Sequence, residues 1–134
     1  MYYMPKIYSV SSPPEYMIRA RDYWNSHRNE AVKIVEEYQR NPNYPFPCAP
    51  GDTECEGISY RNVNDGDLLK CRFKWGLIFT GFNIGGPFIV RVFNISRFEF
   101  HPQTGNIIKI IGFDSDYPNV EVFYYPNQLW AIFC

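Results

Sequence analysis

The chain has 134 residues, short enough to be one domain and long enough to bury a core without obligatory disulfides or metal. Its 13 basic residues stand against 14 acidic ones, a formal charge of -1, which removes the electrostatic argument for a general nucleic-acid or anionic-membrane binder and leaves only a local basic strip open. Aromatic residues reach 19%, with 11 Tyr and 11 Phe, more than a core of this size needs, so some rings are expected to line a pocket or an intermolecular surface.

Residues 1–11 form an N-terminal arm with no charged segment leading into an apolar run. Nowhere do about 18 apolar residues stand together, so neither a signal peptide nor a membrane span is expected, and the chain is read as cytoplasmic. A helical segment follows over 12–41. Ser12-Pro13-Pro14-Glu15 has the form of a capping box, with Ser at the cap and Glu three residues on. Tyr16, Ala20, Tyr23, Trp24, His27, Ala31, Ile34, Val35 and Tyr38 then recur every three or four residues and predict one long helix with an apolar face. Asn25-Ser26, two poor helix formers, mark where it would kink. Pro42 disfavours helical geometry at Asn41 and ends it.

Residues 42–66 read as a proline-rich loop with a short strand near 58–63. Tyr44 and Phe46 are read as covering an open end of the sheet. Cys48 and Cys55 bracket a Pro-Gly turn that lets the two thiols meet, so they are the disulfide candidates, with a reducing cytoplasm as the opposing consideration. No Cys-x-x-Cys and no matching His pair appear, so no zinc site is expected.

From 67 to 134 the period becomes two. Leu69, Cys71, Phe73 and Trp75 alternate with Lys70, Arg72 and Lys74 as in a strand with one wet face, and Cys71 reads as a small buried hydrophobe. Asn83-Ile84-Gly85-Gly86 supplies a turn before the longest strand, 88–100. Both of its faces are apolar, Phe88, Val90 and Val92 on one and Ile89, Phe93 and Ile95 on the other, which predicts a central strand. His101-Pro102-Gln103-Thr104-Gly105 is a hairpin loop into a strand at 107–113. Asp114 to Asn119 turn the chain into 120–125, and Pro126-Asn127 turn it again into the apolar 129–134. So hydrophobic an end must be covered by the sheet or by a partner.

Asp114 and Asp116 lack the residues that would complete a calcium loop, so no metal and no cofactor are expected. Lys70, Arg72, Lys74, Arg91 and Arg97, with Phe98 and Phe100, suggest a base-stacking sheet, but the element order is wrong for that module, and a solvated face without nucleic acid is the reading kept. Asn94-Ile95-Ser96 matches a glycosylation acceptor inside a strand and is discounted.

The segment Ala31 to Tyr38, followed by an antiparallel meander, resembles the cystatin-like arrangement. Where cystatins carry Gln-x-Val-x-Gly, Leu77-Ile78-Phe79-Thr80-Gly81 keeps an apolar residue and the Gly without the Gln. Thr104-Gly105-Asn106-Ile107 resembles a hairpin of NTF2-like cones. The first resemblance implies protease inhibition through Leu77 to Gly81, the second a small-molecule enzyme or ligand-binding protein with His27 or Asp114 as acid or base in an aromatic pocket.

The sequence therefore predicts one α+β domain, a long helix, continuous or kinked at Asn25-Ser26, on a curved antiparallel sheet of five or six strands. Its predicted role is a non-enzymatic binding or assembly module. The binding candidates are Phe88, Ile89, Val90, Val92, Phe93, Ile95 and Trp130. The expected partner is a protein or a second copy, with a small apolar ligand as a further option and no membrane.

Overall fold

Two helices, not one, lead the chain in the computed structural model, which describes residues 11–41, 44–56, 65–81 and 89–134. They are α1 (Glu15–Ser26) and α2 (Arg28–Arg40). A 3-10 helix (Asp65–Cys71) precedes β1 (Trp75–Thr80), β2 (Ile89–Phe100), β3 (Ile107–Asp114) and β4 (Tyr117–Tyr124). A short 3-10 turn (Pro126–Gln128) leads into β5 (Leu129–Phe133). All strand pairs are antiparallel, in the order β4-β3-β2-β1-β5, so the last strand crosses back to pair with β1. That crossing buries the apolar strand, with Ala131, Ile132 and Phe133 all buried.

The helix start and the helix break both depart from the sequence reading. Pro14, extended at φ -59 and ψ 138, occupies the N-cap position, and Ser12 lies outside the helix. Pro13 precedes another proline and is thereby held out of helical geometry, which moves the start to Glu15. The break falls at His27, whose φ of -130 and ψ of 58 interrupt the rod. Asn25 turns its amide toward the sheet, donating Nδ2–H to the Val90 carbonyl at 2.9 Å and accepting the Val90 N–H on Oδ1 at 2.8 Å. Strand β3 stops opposite Phe93, so Val90 has no strand partner on that side and Asn25 takes its place.

The strand expected from Leu68 is instead the 3-10 helix and a turn. Cys71 is buried while Leu69 and Phe73 are exposed, and Phe73 sits at φ 66. The reason is covalent. Cys71 is bridged to Cys134, 63 residues later, and is no isolated hydrophobe. Cys48 and Cys55 form the second bridge. Strand β4 begins at Tyr117, earlier than the turn residues suggested. The 58–63 segment, the Asn83 to Gly86 turn and the first ten residues lie outside the described residues.

Two cores flank the sheet. Met17, Ala20, Trp24, Ala31 and Val35 of the helices close on Leu77, Phe79, Val90, Val92, Ala131 and Phe133, together with Phe46 and Cys55 of the disulfide loop. The far face packs Ile78, Phe93, Ile95, Ile110 and Ile132 with Cys71, edged by Leu68, Phe98, Val122 and Tyr124. Strand β2 is thus apolar on both sides because both sides are core; burying each large side chain contributes roughly 1.5–3 kcal/mol. A register shift of β2 against β3 and one of β3 against β4 both fall beside Gly112. A Cβ there would lie on the Asn94 carbonyl oxygen, with Ile95 Cα at 2.9 Å, so only glycine admits this approach beside the register shifts of β2 and β3.

Candidate functional site

The residues singled out by the longest strand do not form one surface. Val90 and Val92 lie beneath the helices, and Phe93 and Ile95 lie in the far-face core. Ile89 is half-buried and Phe88 is outside the described residues. Far-face closure comes from the chain itself: the bent β3–β4 hairpin brings Tyr124 to within 5.4 Å of the Phe93 ring, and Cys71 holds the 3-10 helix there. Trp130 is exposed on edge strand β5, its indole so close to Gly81 that an added Cβ would meet the ring. Leu77, Ile78 and Phe79 are buried in β1, so Leu77 to Gly81 is no presented loop.

The polar candidates are likewise dispersed. His27 is exposed at the helix break, stacked on Tyr23 at 4.0 Å between ring centroids, and donates Nδ1–H to the Tyr23 carbonyl at 2.9 Å. It borders a shallow depression of about 370 Å³ lined by residues of the helix junction, from Asn25 to Glu30. Asp114 is buried, held by Arg91 at 3.1 Å and by the Asp116 N–H at 2.8 Å. Asp116 faces Arg21 at 2.8 Å, so the two aspartates do not converge. Beside them, burial pushes the Tyr124 phenol above its ordinary value; Arg91 opposes the shift and Asp114 adds to it. Among the described residues no group of three or more His, Cys, Asp or Glu is placed to hold a metal ion. Asn94 is 2% exposed, which puts the glycosylation acceptor out of reach, and its Oδ1 has no hydrogen-bond partner.

Arg19 makes a clamp of structural character. Its guanidinium donates to both Asp52 oxygens, at 2.8 and 3.1 Å, and to Glu54 at 3.0 Å, fixing the Cys48–Cys55 loop to α1. The hydrogen bonds from Arg19 hold the Asp52 carboxyl below its ordinary value. Trp24 adds an Nε1–H bond to the Pro47 carbonyl at 2.9 Å.

Among the described residues the helix-side core does not extend onto β3 and β4, where α1 sends Arg21 to Ser115 and Asp116 at the β3–β4 turn. Helix α1 packs on β1 and β2 and α2 on β5. Register places Arg97, Ile111 and Phe123 in one row across β2, β3 and β4, with Glu99 opposite Lys109 in the next. Phe98, Ile110 and Tyr124 occupy the reverse side, so this half carries the first set, with Arg97 and Phe123 exposed and Ile111 buried between them. The Lys109 ammonium lies 4.7 Å above the Phe123 ring, and Phe123 meets Tyr125 edge to face at 5.5 Å. Arg97 pairs with Glu121 at 3.3 Å and Lys109 with Glu99 at 3.8 Å. Ser96 Oγ donates to Glu121 at 2.9 Å, and Arg72 Nε donates to the Ser96 carbonyl at 2.9 Å while its guanidinium covers the Phe73 ring at 4.5 Å. Aromatic rings and cations therefore alternate along a strip from Phe73 to Tyr125. Phe73 is 47% exposed, Phe123 48% and Tyr125 44%.

Of the basic strip read in the sequence, Arg91 pairs with Asp114 and Arg97 with Glu121, Lys70 lies in the 3-10 helix, and Arg72 and Lys74 lie in the turn before β1. A period-two reading missed this turn. Its one sequence signal is the run Leu68 to Gly76, which holds three cations and no carboxylate. Compared with known proteins, the chain matches no family model, no curated protein and no solved structure.

Proposed function

We propose that this protein is a non-enzymatic binding module that presents the β3–β4 half of its sheet to a protein partner. The observation that carries the proposal is the strip of exposed rings, Phe73, Phe123 and Tyr125, interleaved with Arg72, Arg97 and Lys109 on a rigid sheet. Exposed aromatic side chains beside Arg are what protein interfaces use as anchors, because a large rigid ring loses little entropy on burial. The strip ends at β4, an edge strand that also exposes Tyr117 and Val120 and offers backbone groups to an extended segment. The enzyme reading draws little support, since the depression at His27 is lined by helix-junction residues and not by Asp114, and the inhibitor reading rests on a buried strand.

The two bridges favour work in an oxidising compartment over the cytoplasmic assignment, because cytosolic thiols are kept reduced. The binding proposal is tested by selecting peptides from an unbiased display library and mapping them by amide NMR shifts. Peptides that perturb Phe123, Tyr125 and Lys109, and that bind at least about tenfold more weakly to the Phe123→Ala/Tyr125→Ala variant, support it. Peptides that all map to other surfaces, or that ignore the double substitution, refute it. Sedimentation of the pure protein, wild type against the same variant, reports whether the partner is a second copy.

A further inference from the structure

The turn between the 3-10 helix and β1 places an aromatic ring, Phe73, at the surface. Phe73 adopts φ 66, a left-handed conformation that costs a bulky residue and that glycine would adopt freely. The turn is nonetheless firmly held. The Phe73 N–H donates to the Ile95 carbonyl at 2.7 Å, the Lys74 N–H to the Cys71 carbonyl at 3.1 Å, and Cys71 is tied to the end of β5. A strained residue kept in place by covalent and hydrogen-bonded supports, with its ring 47% exposed under the Arg72 guanidinium, marks a presented group.

Arg72 covers that ring, and Lys70 and Lys74 flank it in sequence, all three exposed, as is Leu69. Resting on the binding function proposed above, we infer that this turn docks a short acidic segment of the protein partner, whose carboxylates meet Lys70, Arg72 and Lys74 and whose apolar or aromatic side chain packs on Phe73 and Leu69. Charge complementarity chooses the occupant. Beyond the turn the strip alternates in sign, Arg97 beside Glu121 and Lys109 beside Glu99, so a uniform polyanion such as an anionic bilayer or a nucleic-acid strand meets carboxylates where it needs cations. A polypeptide with a few acidic residues at one end meets only the turn.

The experiment uses fluorescence anisotropy with a Glu-, Asp- and Tyr-containing peptide and a matched peptide carrying Gln and Asn in place of the acids. Anionic phosphatidylserine vesicles and single-stranded oligothymidine serve as the competing classes. The acidic peptide is expected to bind about tenfold tighter than its neutral counterpart at low salt and to lose that margin in the Lys70→Glu/Lys74→Glu variant. Phe73→Gly is expected to weaken it by a similar factor without lowering the thermal midpoint, which a purely structural Phe would lower. Equal binding of the two peptides, indifference to Lys70→Glu/Lys74→Glu, or tighter binding of vesicles or oligothymidine overturns the inference. Loss of the acidic peptide's binding in Phe123→Ala/Tyr125→Ala supports the strip as a whole. Binding that survives that change but fails in Lys70→Glu/Lys74→Glu upholds the turn and overturns the wider strip.

Discussion

The two disulfides differ in what they do to the unfolded chain, and the difference is measurable. Cys48–Cys55 spans 7 positions and Cys71–Cys134 spans 63. In the chain-entropy account, stabilisation rises with the logarithm of loop length, giving about 2 kcal/mol for the short bridge and about 4 kcal/mol for the long one. Alanine is the suitable replacement, because Cys55 and Cys71 are both buried and a serine hydroxyl would be stranded there. The native contacts have independent support in each case. The 44–56 loop keeps Arg19 on Asp52 and Trp24 on Pro47, and β5 keeps its pairing with β1. Urea titration of Cys48→Ala/Cys55→Ala and Cys71→Ala/Cys134→Ala should therefore show the second less stable by about 2 kcal/mol, roughly 1 M in midpoint at a typical slope. Equal midpoints, or greater loss from the short bridge, would refute the unfolded-state argument and show that native packing around each bridge dominates.

Asp52 supplies a pH dependence of known sign. Arg19 holds its folded value below the ordinary 3.8, so the stabilisation is complete above that value and is lost as pH falls through the lower folded one. Urea midpoints measured between about pH 2 and pH 6 should fall less steeply with acid in Asp52→Asn than in the wild type, and an identical slope would argue against the clamp. Asn94→Leu removes a buried oxygen without a partner and should raise stability by about 1 kcal/mol in chemical denaturation; a loss would mean that the oxygen is satisfied in solution. Phe73→Gly relieves a left-handed cost of roughly 1–2 kcal/mol and forfeits a contact with Arg72 of roughly 0.5–1 kcal/mol, so calorimetry should find it slightly more stable.

What the sequence determined by itself is local or periodic. The apolar stripe of 16–38 specifies a helical layer whichever way it is broken, because period 3.6 needs no distant partner. The two-sided pattern of β2 announces a central strand, and the hairpin at His101 to Gly105 follows from turn residues, Gly105 at φ 73 among them. Tertiary structure decided the features that depend on residues far apart in the chain. The weak helix formers Asn25-Ser26 mark the break to within a residue of His27, but that the Asn25 amide pairs with the Val90 backbone left open by β3 is a tertiary fact no propensity records. Cys71 and Cys134 read as unrelated until β5 crosses to β1 and sets them side by side, and that bridge turns an alternating run into a 3-10 helix with Phe73 exposed. The lateral order β4-β3-β2-β1-β5 centres the helix packing on β1, β2 and β5 among the described residues. Alternation tells which residues share a face, but only the packing of distant elements decides which part of that face meets water.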